Sequence, residues 1–100
     1  MRTEEPILTI SVAADLLGLH PRTLMLYEKE GLMTPHRTGT NRRMFSIKNL
    51  EELQFIKFLT HDRGINLEGV KIVLKSLEIT KGQIDLKKLL FPTFELKQLV

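Results

Sequence analysis

SVAADLLGLHPRTLMLYEKEGL, residues 11–32, carries the punctuation of two short helices and the turn between them. Ser11 is placed to act as N-cap, with its side-chain oxygen open to a first-turn N–H, and VAADLL behind it is helix-compatible. Gly18 ends this helix, because glycine enters the left-handed conformation that follows helix termini at little steric cost. After Gly18, Leu19 and His20 comes Pro21, whose fixed φ suits a first helical position where no N–H is needed. The second helix is expected from Pro21 to Glu30, with Gly31 as its stop. Two helices joined by a short glycine-containing turn form a helix-turn-helix pattern. Ala14 lets the second helix cross close over the first, and Leu17, Leu19 and Leu24 are spaced to fill the gap; an ordinary helical hairpin shares these features.

Downstream, TPHRTGTNRRMFS (34–46) is polar and basic, with a Thr-Gly-Thr-Asn tip between two short extended pieces, and reads as a hairpin or wing. From His20 to Lys48 there are six basic residues (Arg22, Lys29, Arg37, Arg42, Arg43, Lys48) against two acidic ones, a net of +4. The other 71 residues carry nine basic and ten acidic side chains, so the positive field is concentrated in this segment. Charge alone also fits a solvated loop. Arginines beside a flexible tip can present guanidinium groups to phosphates, and Arg42 and Arg43 are the candidates.

Beyond the hairpin, Ser46 caps a third helix with Ile47, Leu50, Leu53, Ile56 and Leu59 on one face, widened by Phe55 and Phe58 and ending near Gly64. Asn66 caps a fourth, in which Leu67, Val70, Leu74 and Leu77 recur at helical spacing. These stripes are packing surfaces. After Leu77 the pattern degrades: Lys81-Gly82 interrupts, DLKKLLF allows a short helix, and Pro92 limits it. Ile84, Leu86, Leu89, Leu90, Phe91, Phe94, Leu96 and Leu99 are nonetheless too apolar for a solvated tail. They pack either back on the domain or in a dimer contact.

Composition narrows the function classes. With 100 residues and 42% apolar content the chain supports one small core, whose limited burial invites oligomerisation. The absence of cysteine removes disulfides, thiolate metal sites and thiol nucleophiles. No apolar run reaches the roughly 18 residues of a membrane span, and MRTEEPILTI lacks a signal peptide's order, so a soluble, cytoplasmic protein is expected. There is no phosphate-binding or dinucleotide glycine pattern, and His20, His36 and His61 lack metal-ligand spacing. Glu28, Glu30, Glu51 and Glu52 read as helix-surface charges. Neither an enzyme nor a cofactor is expected.

Over roughly Leu8 to Leu77 the sequence resembles the DNA-binding domain of the MerR family of transcriptional regulators. The resemblance runs in order through TISVAADLLGL, HPRTLMLYEKEGL, the wing end RRMFS, NLEELQFIKFL and GINLEGVKIVL, with the TL..YE..GL string of Thr23 to Leu32 the most specific. The surroundings of His20-Pro21 and of Ile65 to Val70 are similar to the heat-shock repressor branch. The implied fold is mainly α with a small β wing, a winged helix-turn-helix over residues 1–77, followed by a short apolar extension (78–100) for dimerisation or partner contact. The resemblance implies a second helix in the major groove, a wing on the flanking backbone, and a homodimer reading an inverted repeat in double-stranded DNA. It places Arg22 and Thr23 toward base edges and Tyr27 toward a phosphate, with Arg43 and Phe45 matching the wing arginine and the aromatic after it. Leu26 is expected to join the base readout, Arg42 and Lys48 to join the phosphate contacts, and Arg37 to complete the DNA-binding set. One departure stands out: Met25 occupies a position where many members carry arginine, so no charged phosphate contact is available there. Met25 and Leu26 are left to pack on a thymine methyl or sugar edge, or Met25 is surface without a role. The heat-shock branch also implies a chaperone as protein partner. The leading reading is a transcriptional repressor; an architectural or recombination-accessory protein, and a protein-interaction module using the apolar tail, stay open beside it.

Overall fold

The computed structural model describes residues 2–100. Its elements are β1 (Leu8–Thr9), α1 (Ile10–Leu17), α2 (Pro21–Lys29), β2 (His36–Arg37), β3 (Arg43–Phe45), α3 (Ile47–Lys57), α4 (Leu67–Thr80) and α5 (Leu86–Leu90). The architecture is the mainly helical one expected, with a small antiparallel sheet of order β1-β3-β2.

The first helix starts earlier than the sequence suggested, and Ser11 is not its cap. Leu8 and Thr9 pair with Phe45 and Met44, so Thr9 is held extended and its hydroxyl accepts the Val12 N–H at 3.3 Å. The two-residue β1 was missed because a strand that short shows no alternation. Gly18 ends α1 at φ 68°, where the Leu19 N–H reaches the Ala14 carbonyl at 2.9 Å. Pro21 opens α2 as expected, and the His20 Nδ1 accepts the Arg22 N–H at 3.1 Å. The end of α2 closes on itself through Gly31 N–H to the Glu28 carbonyl and Leu32 N–H to the Tyr27 carbonyl.

A reciprocal capping box between Ser46 and Asn49 starts α3, each backbone N–H received by the other's side chain at 3.0 Å. The expected single helix to Gly64 instead widens into a π-type turn over Phe58–Asp62, where the Arg63 N–H bonds the Phe58 carbonyl at 3.0 Å. Asn66 caps α4 through the Gly69 N–H, and α4 runs on to Thr80. The DLKKLLF segment forms α5, started by Asp85.

One core joins these pieces. Ala13, Ala14 and Leu17 from α1 meet Leu24 and Tyr27 from α2, Phe45 from β3, Leu50, Leu53 and Ile56 from α3, and Val70 from α4. Lys57 adds a polar tie from α3 by donating from Nζ to the Leu17 carbonyl at 2.6 Å, beside the helix-turn-helix bend. The C-terminal segment folds back on α3. Phe91 and Phe94 meet Phe55 and Phe58 with centroids 5.1–5.9 Å apart, in edge-on or tilted arrangements that suit aromatic quadrupoles. The Lys87 ammonium lies 4.3 Å from the Phe55 ring centroid, and the Gln54 amide makes two bonds to the Lys97 backbone. Leu89, Leu90, Leu96 and Val100 stay exposed.

Candidate nucleic-acid interface

The helical period sorts α2 into two faces. Leu24 and Tyr27 point into the core, while Arg22, Met25, Leu26 and Lys29, at spacings of three and four, share the opposite, exposed face. Thr23 lies half-buried on its flank. The outward face thus carries a basic residue at each end and two apolar ones between them.

Beside it stands the hairpin β2–β3. Its tip is folded back on itself: the Thr38 N–H bonds the Arg42 carbonyl at 2.9 Å, and the Thr38 hydroxyl receives the Arg42 N–H at 3.0 Å. Asn41 occupies the left-handed region at φ 63°, a conformation that asparagine tolerates better than most residues. The hairpin register sets Arg37 directly opposite Arg43. Like charges facing each other across a strand pair repel, so the register demands an anion between them.

Glu28, on the flank of α2, supplies it. Arg43 Nε donates to one carboxylate oxygen at 2.6 Å and Arg37 Nη2 to the other at 2.8 Å. Arg37 Nη1 also reaches the Asn41 carbonyl at 3.1 Å, so this clasp extends from the helix to the wing tip. Burial pushes the Glu28 carboxyl up, but hydrogen bonds and charge from the two arginines outweigh it and hold the group below its ordinary range. Glu28 read from sequence as an idle surface charge; the structure makes it the joint between the helix and the wing. Only the register, which puts two arginines in apposition, could have pointed to it. Glu30 is also engaged, with Lys71 of α4 at 3.2 Å.

The expected contact residues fall into separate environments. Arg22, Leu26, Arg42 and Lys48 are exposed. Lys48 lies in the first turn of α3, where its N–H bonds the Thr3 carbonyl at 2.8 Å and its ammonium lies 3.6 Å from Glu4. Arg37 and Arg43 are partly committed to Glu28. Two residues are corrected. Phe45 is 1% exposed and belongs to the core, so it supports the wing from beneath and does not face a ligand. Tyr27 is 2% exposed, and its hydroxyl sits 3.3 Å from the Thr60 hydroxyl. Either hydroxyl can donate in that pair, and Thr60 also reaches the Ile56 and Lys57 carbonyls, so the Tyr27 hydroxyl is engaged within the protein. Among the described residues, no group of three or more His, Cys, Asp or Glu side chains is arranged to hold a metal ion. No helix among them is long and apolar enough to cross a membrane.

The family profile described as "MerR HTH family regulatory protein" matches residues 8–77, from β1 into α4. The chain belongs to the MerR family. Its DNA-binding-domain fold is the family's winged helix-turn-helix, with β2–β3 as the wing. Among similar proteins, the putative heat shock protein HspR of Streptomyces coelicolor is 43% identical over 72 residues, covering 72% of this chain and 48% of that protein. The HTH-type transcriptional regulator GlnR of Bacillus anthracis is 36% identical over 87 residues, 87% of this chain and 67% of that one. The MerR-family chain therefore spans about half the length of the HspR relative. A crystal structure of HiNmlR, a MerR family regulator lacking the sensor domain, bound to promoter DNA, superposes with a TM-score of 0.72 at 29% identity. That likeness covers 84% of this chain and 64% of the HiNmlR chain.

Proposed function

We propose that this chain is a sequence-specific, double-stranded-DNA-binding transcriptional regulator that represses from an inverted-repeat operator as a homodimer in the cytoplasm. The observation that carries the reading is the outward face of α2, with Arg22 at its N-terminal end, clasped by Glu28 to a basic wing. A helix in the major groove and a wing on the flanking backbone need that fixed relation. Arg22 is assigned to a guanine edge, Thr23 and Leu26 to neighbouring base edges, and Arg42, Arg43, Arg37 and Lys48 to phosphates. Tyr27 and Phe45 hold the helix and the wing in place from the core side. Similarity to HiNmlR, a regulator solved on promoter DNA, supports the partner, and similarity to HspR supports a heat-shock role.

Residues 1–77 form the DNA-binding unit in this reading and residues 78–100 its extension. Exposed Ile72 and Ile79, seven residues apart on α4, and exposed Leu89 and Leu90 on α5 support contact with a second copy or a chaperone. The test is selection of a random duplex pool by the purified chain at moderate salt, followed by sequencing. Enrichment of an inverted repeat is expected. Retention without enrichment would replace operator recognition with an architectural role, and no retention would remove DNA as the ligand.

A further inference from the structure

We propose that Met25 and Leu26 are specificity-determining residues that recognise thymine C5-methyl groups in the major groove, an inference that rests on the DNA-binding reading above. Both side chains are held out from the body, 40% and 44% exposed, although each would gain from burial. Single exposed apolar residues are ordinary. These two are a pair, side by side on the same outward face as Arg22 and Lys29, one turn after the first and one turn before the second.

The pattern selects the occupant. Basic ends and an apolar centre match a surface that is anionic at its margins and carries methyl groups within, which is the major groove over thymine. Among the four bases only thymine offers a methyl there. Neither side chain holds a hydrogen-bond donor able to read guanine or adenine edges, and methionine's unbranched thioether adapts its shape to a methyl. The three or four residues between Arg22 and the pair span about 4.5–6 Å along the helix, one or two base-pair steps. A guanine contacted by Arg22 is therefore expected to lie within about two base pairs of the thymine.

The experiment uses the operator recovered from the random pool and replaces its thymines by deoxyuridine one at a time, which removes the methyl and leaves every hydrogen-bonding group. Binding of the full chain is followed by fluorescence anisotropy. At one or two thymines in each half-site, the substitution is expected to weaken binding about fourfold per contacted methyl, the equivalent of a buried methylene-sized group. At those positions Met25→Ala and Leu26→Ala should no longer distinguish thymine from uracil, while binding to the uracil duplex stays within about twofold of the unsubstituted chain's. Tight binding that is indifferent to deoxyuridine at every position would overturn methyl reading and leave operator recognition standing. Failure to retain any duplex would overturn both.

Discussion

The two ends of the molecule are held together by different physics. The helix–wing end is clasped by charge: a single carboxylate receives two arginines from a two-strand hairpin, and the outward face beside it carries basic residues at its ends with the apolar pair Met25 and Leu26 between them. The α3–tail end is fixed by area: four phenylalanines pack together, mostly edge-on or tilted, with Lys87 over the Phe55 and Phe94 rings. Ion pairs near the surface contribute little stability but set direction, whereas buried aromatic area contributes much stability and little direction. A binding surface requires the first kind of hold and a fold requires the second, so function and stability are expected to separate in mutants.

The largest expected effect tests the tail end. Phe55→Ala should destabilise the chain by about 3–5 kcal/mol, read from urea denaturation, because a buried ring shared by two elements leaves a cavity. A loss below about 1 kcal/mol would mean that the tail cluster lies outside the cooperative unit and would end the contrast. Next, Arg22→Ala should cost about 1–3 kcal/mol of affinity for the selected operator and relax preference at one base, with unfolding unchanged. Arg42→Ala should instead weaken all duplexes alike and flatten the salt dependence.

Gly18 lies where the two ends meet, at φ 68° with its missing Cβ position 3.3 Å from the Lys57 ammonium. Gly18→Ala should cost about 1–2 kcal/mol of stability through the left-handed backbone alone, and more if Lys57 must give up the Leu17 carbonyl. The smallest of the measurable losses sharpens the comparison most. Glu28→Gln should cost about 1 kcal/mol yet loosen the wing, raising affinity for random duplex relative to the operator. A lowered carboxyl pKa means that the clasp's stabilisation is fully present above the unfolded-state pKa and is lost as pH falls through the folded one. The stability difference between the native chain and Glu28→Gln should accordingly vanish on acidification below the ordinary carboxylate range. A difference that persists there would detach it from the carboxylate.

Local signals told most of the fold. Gly18, Pro21, Ser46 and Asn66 act where their chemistry placed them, because caps and turns are decided by a residue and its near neighbours. Thr9 took the cap from Ser11 because the pairing of Leu8 with the distant Phe45 fixed the backbone before it. The π-type turn at Phe58–Asp62 likewise has no sequence signature, since the apolar face continues unbroken through it. At the candidate site, Arg22 came from the family resemblance and Leu26 was named beside it, and the structure sets both on the exposed face of α2. Tyr27 and Phe45, set toward DNA by the resemblance, are buried instead, because a matched motif position does not say which way an aromatic faces.

By itself the sequence determined the helices, their order and the basic character of the second helix and hairpin, because these rest on spacing, which is a property of the chain; its ordered motifs carried the resemblance to the family. Tertiary structure alone decided what the charges do. The sequence supplies Glu28, Arg37 and Arg43 as separate members of a polar run, and only the register that sets the two arginines face to face beside α2 turns them into one clasp. The same holds for the tail, whose apolar residues had to pack somewhere. Which of them found Phe55 and Phe58, and which remained at the surface, depended on chain geometry that no local pattern encodes.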